Sequence, residues 1–324
     1  MMRNSITRKL CLVMSLLLVL CLSGCGSSST RMMFGTGGTA GTYYAYGGVI
    51  AQYMRNYADV RVTAVSTGGS KVNIQSIQDG DFQLGFTQSD VMSYAWNGTR
   101  AFETDGATHD FRVLGCLYAE TVQLITMDED INSVEDLKGR SVSIGEAGSG
   151  VYFNAMDVLN GAGITLDDIK PQYQSFEDSK ESLKDGKIDA AFIVAGAPTT
   201  AITEIATTNG VKLINIDGEF RDKILEECPY YNALTIPAGT YPGQDEDVET
   251  ITVEATLIVS ANVDEETVYN LTAAIFDHTE DITVENAKGA ELSLETATSV
   301  SDVPYHEGAA RYYAEHGITV NTTE

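Results

Sequence analysis

Basic residues are scarce in this chain: 20 Lys and Arg stand against 46 Asp and Glu, a formal net charge of −26 over 324 residues. That balance excludes nucleic acid as a partner, because such binding is driven by cationic neutralisation of phosphates. Histidine is scarcer still. His109, His278, His306 and His316 are scattered without ligand spacing, and surface or capping positions suit them. No G-x-S-x-G nucleophile elbow occurs, no H-E-x-x-H and no C-x-x-C. The acidic run from Gln244 to Glu249 lacks the alternating ligands and the glycine of a calcium loop, and reads as solvated. The chain is therefore expected to be no enzyme and to carry neither a metal nor a cofactor.

Long apolar runs are also lacking, with one exception. Leu10 to Leu22 follows the positive Arg3, Arg8 and Lys9, and is too short to span a bilayer comfortably, which is how an export signal reads. It ends in Leu22-Ser23-Gly24-Cys25, which resembles the bacterial lipobox, where the Cys is diacylated and the signal is cut before it. Residues 1–24 read as a lipoprotein signal peptide and 25–30 as the lipidated Cys25 with a polar tether. An ordinary signal peptide and an N-terminal membrane anchor are the weaker alternatives. The protein is expected outside the cytoplasm, on the outer face of the cell membrane or on the periplasmic side, held by acyl chains. Losing residues 1–24 removes three basic residues and no acid, taking the charge from −26 to −29. Such acidity keeps an exported protein soluble.

Of five cysteines, Cys11 and Cys21 leave with the signal and Cys25 carries lipid. Cys116 and Cys228 remain, either as a disulfide or as two buried thiols. The roughly 300 residues left exceed what one core usually holds, so two domains are expected.

Glycine is plentiful, at 30 residues, and six of them lie in "GTGGTAGTYYAYGGVIAQYM", Gly35 to Met54. The run follows a strand at Met32 to Phe34 and precedes a helix whose apolar face includes Tyr46, Val49, Ile50, Tyr53, Met54 and Tyr57. The pattern repeats. Val60 to Val65 reads as a strand, Ser66 to Ser70 as a loop, and Lys71 to Asp79 as a helix capped by Ser70 and stopped by Gly80. Then comes a strand through Phe82, Leu84 and Phe86, the loop Thr87-Gln88-Ser89-Asp90, and a short helix to Asn97.

A second α/β section starts near Val122, with a capping box at Ser133 to Asp136, a strand Ser141 to Ile144, the loop Gly145 to Gly150 and a helix presenting Tyr152, Ala155, Met156 and Leu159. Ile188 to Val194 is a buried strand leading into Ala195-Gly196-Ala197-Pro198. "SIQDGDFQLGF" (Ser76 to Phe86) and "SLKDGKIDAAF" (Ser182 to Phe192) match landmark for landmark, as do "GTYY" at Gly41 and "GVYF" at Gly150. Two equivalent lobes account for this echo. A strand from Thr250 to Val259, a helix capped by Asp264 and a last helix stopped by Gly317 complete the chain. Crossings near Cys116 to Gln123 and Leu234 to Thr240 would form a two-segment hinge that permits closure over a ligand.

The loops at the strand ends would gather where open α/β sheets bind ligands. A dinucleotide is a poor fit. Gly35-x-Gly37-x-x-Ala40 is a loose fingerprint, but the next strand ends in Ser66-Thr67 where an acidic residue is needed, and no Lys follows the glycines as in a Walker loop. None of the five loops contains Arg or Lys. Free amides at helix N-termini, backed by Ser and Thr hydroxyls, suit a carboxylate or phosphate, with Tyr43 and Tyr44 excluding water.

The series "GTGGTAGTYYAYGG", "STGGSKVNIQSIQDGDFQLGFTQSDV", "LYAETVQLI", "GEAGSGVYFNA", "DAAFIVAGAP" and "IPAGTYPGQDEDVETI" resembles the TAXI type of solute receptor of tripartite ATP-independent periplasmic (TRAP) transporters. The resemblance covers nearly the whole chain after the signal. It implies an α/β, type II periplasmic-binding-protein fold, with residues 31–118 plus 237–324 as lobe 1 and 119–236 as lobe 2. It also implies a small carboxylate ligand, such as glutamate, a related amino acid or a dicarboxylate, delivered to an ion-gradient-driven membrane permease. Carried over residue by residue, the site would comprise Thr36, Gly38, Thr42, Tyr43, Ser70, Gln88, Ser89, Ser149, Val151, Gly196 and Pro198. Glu120 joins them, and with Glu146 it would disfavour a dicarboxylate or select an amino group. A same-fold receptor for an ABC-type permease or a sensor is the alternative, and an extracytoplasmic enzyme is a more distant one.

Overall fold

Strand β1 (Arg31–Gly35) turns Met32 and Phe34 inward and Arg31 and Met33 outward, and helix α1 (Thr42–Tyr57), β2 (Arg61–Val65), α2 (Ser70–Gln78) and β3 (Leu84–Gln88) follow. The computed structural model describes residues 30–323, so the expected export signal and lipidated Cys25 lie outside the described residues. Helix α3 (Ser89–Asn97) leads to the long strand β4 (Phe111–Thr126). The second section repeats the first as β5 (Ser141–Ser143), α4 (Gly150–Gly161), β6 (Lys170–Gln172), α5 (Phe176–Lys184) and β7 (Ala190–Ala195). Next come α6 (Thr200–Thr208), β8 (Lys212–Ile214), α7 (Gly218–Glu227), β9 (Asn232–Ile236) and a second long strand, β10 (Val248–Ser260). Helices α8 (Glu265–Phe276), α9 (Thr279–Glu285), α10 (Leu294–Ala297) and α11 (Glu307–Glu315) close the chain.

The sheet order is β2-β1-β3-β10-β4-β7-β5-β6, with β8 on β4 and β9 on β10. It reads the same from both ends. The parallel set β2-β1-β3 joins β10 antiparallel, and the parallel set β6-β5-β7 joins β4 antiparallel. The sequence echo has a hydrogen-bonded counterpart at the ends of α2 and α5. The Gly80 and Gly186 amides donate to Ile77 and Leu183, both at 3.0 Å, and Asp81 and Lys187 donate to the Ser76 and Ser182 carbonyls at 2.9 and 2.8 Å. Both glycines take the left-handed φ that this turn demands, +81° and +65°.

Apolar packing divides along the long strands. One core holds residues between Met32 and Tyr118 together with Ala255 to Tyr313, and the other two clusters hold residues between Val122 and Val253. The change falls between Tyr118 and Val122 on β4 and between Val253 and Ala255 on β10. Tyr241 and Val248, assigned to lobe 1 from sequence, pack with Ile236. Each fully buried Phe34 or Ile50 contributes on the order of 1.5–3 kcal/mol by leaving water.

Several local expectations need correction. Helix α1 begins at Thr42, so Tyr43 lies in its first turn, while Tyr44 and Tyr57 are exposed. Ser70 does not cap α2. The cap is Gly69, and the Ser70 hydroxyl instead accepts from the Gln88 amide at 3.1 Å. No loop separates β3 from α3, because the strand runs through Gln88 and the helix starts at Ser89. The buried face of α4 is Val151, Asn154, Ala155, Val158 and Leu159, with Tyr152 and Met156 at its edge. Cys116 and Cys228 are free thiols.

Candidate functional site

Six parallel strands, three from each half, send the segments that follow them into one cleft, the sheet edge at which α/β folds bind ligands. From the first half come Gly37, Gly38, Gly41, Thr42 and Tyr43 after β1, Gly68, Gly69 and Ser70 after β2, and Gln88 at the end of β3. From the second come Glu146, Ser149, Gly150 and Val151 after β5, Gln174, Ser175 and Phe176 after β6, and Val194 and Ala195 on β7. Glu120 of β4 lies between them. The empty volume is about 550 Å³, counting the part open to solvent.

Four helices begin at this cleft. At α1 and α2 the N-caps are Gly41 and Gly69, which have no side chain to bond the first amides. Those N–H groups remain available to an anion, at the positive end of each helix dipole. Gly69 holds φ +92° and ψ −149°, a conformation that residues with a side chain rarely adopt. The other two helices are capped. Ser149 accepts from the Tyr152 amide at 3.3 Å and Ser175 from the Asp178 amide at 3.1 Å.

Two aromatic rings, Tyr43 and Phe176, line the cleft among six glycines and eight polar side chains. Tyr43 stacks on Phe86, centroids 4.7 Å apart and planes 6° apart, and meets Tyr118 edge-on at 6.4 Å. Its hydroxyl makes no well-formed hydrogen bond among the described residues, and neither do Gln88 Oε1, Glu120 Oε1 and Tyr118 Oη, although Ser70 stands close to Tyr43, and Tyr118 and Gln88 close enough to Glu120 to lower its carboxyl. Glu120 is 3% exposed, and burial pushes its carboxyl up to about 8. The Lys288 charge acts against that rise, but Lys288 itself pairs with Glu291. Glu146 stands exposed at the mouth, its carboxyl raised by partial burial and by Asp178. No Lys or Arg is among the described residues that line the cleft.

Around the cleft the two halves are in direct contact. Thr42 Oγ1 donates to the Gly196 carbonyl at 3.1 Å, and the Ala201 amide to the Ala40 carbonyl at 3.2 Å. Asn154 Nδ2 of α4 donates to Asp90 Oδ2 of α3 at 3.0 Å and to the Tyr231 hydroxyl at 2.8 Å. Arg100 grips Asp157 with both guanidinium nitrogens, at 2.5 and 3.2 Å. Asp90 is fully buried, which pushes its carboxyl up to about 7.

Of the residues singled out from sequence, Gly38, Thr42, Tyr43, Ser70, Gln88, Glu120, Ser149 and Val151 meet at the cleft. Four do not. Thr36 Oγ1 donates to the Val65 carbonyl at 2.6 Å, and Ser89 Oγ accepts from the Glu254 amide at 3.1 Å. The Gly196 carbonyl serves Thr42 and Thr199, and Pro198 follows a cis peptide bond in the same turn. The segment Gln174 to Phe176 went unread, although the repeat encodes it. Ser182 follows Ser76 by 106 residues, and the same offset sets Gly68, Gly69 and Ser70 on Gln174, Ser175 and Phe176, and Gln88 on Val194.

Residues 34–317 match the profile of the NMT1-like family. Among solved structures, the alkanesulfonate-binding protein SsuA from Xanthomonas axonopodis pv. citri, bound to MOPS, is similar. It is 17% identical, covers 89% of this chain and 85% of its own, and gives a TM-score of 0.51. An ancestral arginine-binding protein bound to arginine is 15% identical over 81% of this chain and 98% of its own, also with a TM-score of 0.51. At such identities the likeness establishes the fold, that of the periplasmic binding proteins.

Proposed function

Since the chain belongs to the NMT1-like family, we propose that it is a non-catalytic solute receptor, exported and lipid-anchored at Cys25, that captures a small carboxylate. Lobe 1 (31–118 plus 237–324) and lobe 2 (119–236) would hinge on β4 and β10, and the closed form would be the one handed to a TRAP permease of the TAXI kind. The observation that carries the reading is the convergence of four helix N-termini, two from each half of the sheet, on one cleft with no basic side chain along its walls. Such a site holds an anion by backbone dipoles and hydrogen bonds. The sequence resemblance to TAXI receptors supports the permease assignment, and the lipobox supports the anchor.

The test is a thermal-shift screen against amino acids, dicarboxylates and keto acids, because a ligand that binds only the native state raises the melting temperature. A shift of several degrees with at least one carboxylate is the expected result, and none with any of them sinks the carboxylate reading. Uptake in cells that stops with an ionophore but survives ATP depletion separates a TRAP partner from an ABC-type one. Cys25→Ser should release the protein from membranes.

A further inference from the structure

A circuit of hydrogen bonds crosses from one half to the other and returns, through residues that do not line the cleft. Asn154 of α4 gives one amide hydrogen to Asp90 Oδ2 of α3, at 3.0 Å, and the other to the Tyr231 hydroxyl, at 2.8 Å. Tyr231 passes its own hydrogen to Asp157 Oδ2 at 2.9 Å, and Arg100, which grips Asp157, returns to the first half at the Tyr94 hydroxyl, 2.8 Å away. Beside the circuit, the Tyr230 hydroxyl accepts from Ser93 Oγ at 3.0 Å, and Phe153 and Tyr230 pack against the core of the first half. These contacts use none of the groups that line the cleft, so they draw the halves together whatever occupies it.

The circuit has one costly member. Asp90 and Asn154 are fully buried, and Oδ1 of each makes no well-formed hydrogen bond among the described residues, so acceptors outnumber donors where they meet. The nearest cation in the circuit, Arg100, is bound to Asp157 and not to Asp90. A carboxylate taken out of water with an amide as its partner is expensive, and a proton both removes the charge and adds a donor. The groups around Asp90 agree with this. Burial raises its carboxyl to about 7, and Asp157 adds to the rise, against the Val91 amide, Asn154 and Arg100. Tyr43, Tyr94, Glu120, Cys228 and Tyr231 also face it, and burial and the Asp90 charge both raise them. We propose that the circuit is a proton-linked latch between the halves, in which Asp90 takes up a proton as they close and yields it to water as they part. This rests on the reading of β4 and β10 as a hinge, and adds a control that is independent of the ligand's chemistry. Because parting lets water reach Asp90 and lowers its carboxyl, closure is strongest in acid and weakens as pH rises through 7.

The experiment measures the distance between the halves in the purified full-length protein in detergent, with no ligand added. Spin labels go on Val284→Cys in the first half and Lys187→Cys in the second, both exposed, with Cys228→Ser throughout so that the label does not enter the latch. Pulsed dipolar spectroscopy should give one short distance at pH 5 and a second, longer one at pH 8, with the open-to-closed ratio raised about tenfold or more. Asp90→Asn, neutral at both pH values, should hold the short distance throughout. Tyr231→Phe, which cuts the circuit between Asn154 and Asp157, should enlarge the open population at both. Gly150→Leu tests the hinge itself, because its side chain would stand where Gln88 Oε1 lies and wedge the halves apart. A distance that ignores pH while Gly150→Leu lengthens it overturns the latch and leaves the hinge standing. A pH response that survives in Asp90→Asn, or a wild-type distribution in Tyr231→Phe, overturns the latch as well. One unchanged distance in every sample, the wedge included, overturns both.

Discussion

Gly150 of α4 packs so closely against Gln88 of β3 that a β-carbon on residue 150 would fall on the Gln88 side-chain oxygen Oε1, with Ser70 Oγ only 3.2 Å from it. The two residues belong to opposite halves of the sheet. A hydrogen at position 150 is thus a condition for the two halves to meet over the cleft. Gly150→Ala should fold normally, since alanine suits the first turn of a helix better than glycine. It should lower ligand affinity tenfold or more, about 1.4 kcal/mol, because Gln88 must turn aside whenever the cleft closes. Isothermal titration beside a melting curve checks this, and wild-type affinity would show that the halves need not approach at this point.

The Asp90–Asn154 contact predicts how the empty protein responds to pH. The Asp90 carboxyl is raised from 3.8 to about 7 by burial, so between those values the folded state holds a proton that the unfolded state has lost. The stabilising contribution is complete below pH 4 and is lost as pH rises through 7. Glu120, raised to about 8, and Glu254, raised to about 7 by burial and by Glu291, act in the same direction. The melting temperature of the ligand-free protein should fall by several degrees between pH 5 and pH 8. Asp90→Asn keeps an acceptor for Asn154 and should make that slope shallower, and an unchanged slope would contradict the assignment.

The Arg100–Asp157 pair joins α4 to the segment after α3, and Asp157 also accepts from the Tyr231 hydroxyl at 2.9 Å. Being partly exposed, it contributes about 1 kcal/mol at most. Its effect should appear in closure more than in folding. Arg100→Ala is expected to weaken binding several-fold and to remove part of the salt dependence, so that raising NaCl from low to high concentration changes wild-type affinity more than that of the variant.

Ser70 and Ser149 lie on either side of the cleft and should behave differently. Ser70→Ala leaves the buried Gln88 amide without an acceptor, so both stability, by about 1–3 kcal/mol, and affinity should fall. Ser149→Ala removes a helix cap that bonds the Tyr152 amide at 3.3 Å, which costs about 1 kcal/mol of stability. Ligand titrations beside denaturant melts check this: affinity should fall in Ser70→Ala and stay near wild type in Ser149→Ala, and equal affinities in the two variants would contradict the placement.

The sequence by itself determined the α/β alternation, the left-handed glycines that end α2 and α5, the Asp264 cap, which accepts from the Thr267 amide at 2.9 Å, and the internal repeat that makes the sheet order symmetric. These are local matters, set by a turn, a cap or a periodicity within a dozen residues. What stood at the strand ends was also legible, which is why eight of the candidate residues meet at the cleft. Only the tertiary structure decided which side chains are spent on the scaffold. Thr36 and Ser89 look like ligand donors in the chain, yet each is bound to backbone more than twenty residues away. Ser70 reads as a cap, but β3 passes close enough for the Gln88 amide to claim its hydroxyl. Glu120 reads as an obstacle to an acidic ligand until its burial and the absence of a basic group along the described walls are seen together. Hydrogen-bond partners and burial are properties of what folds against a residue, and no local pattern carries them.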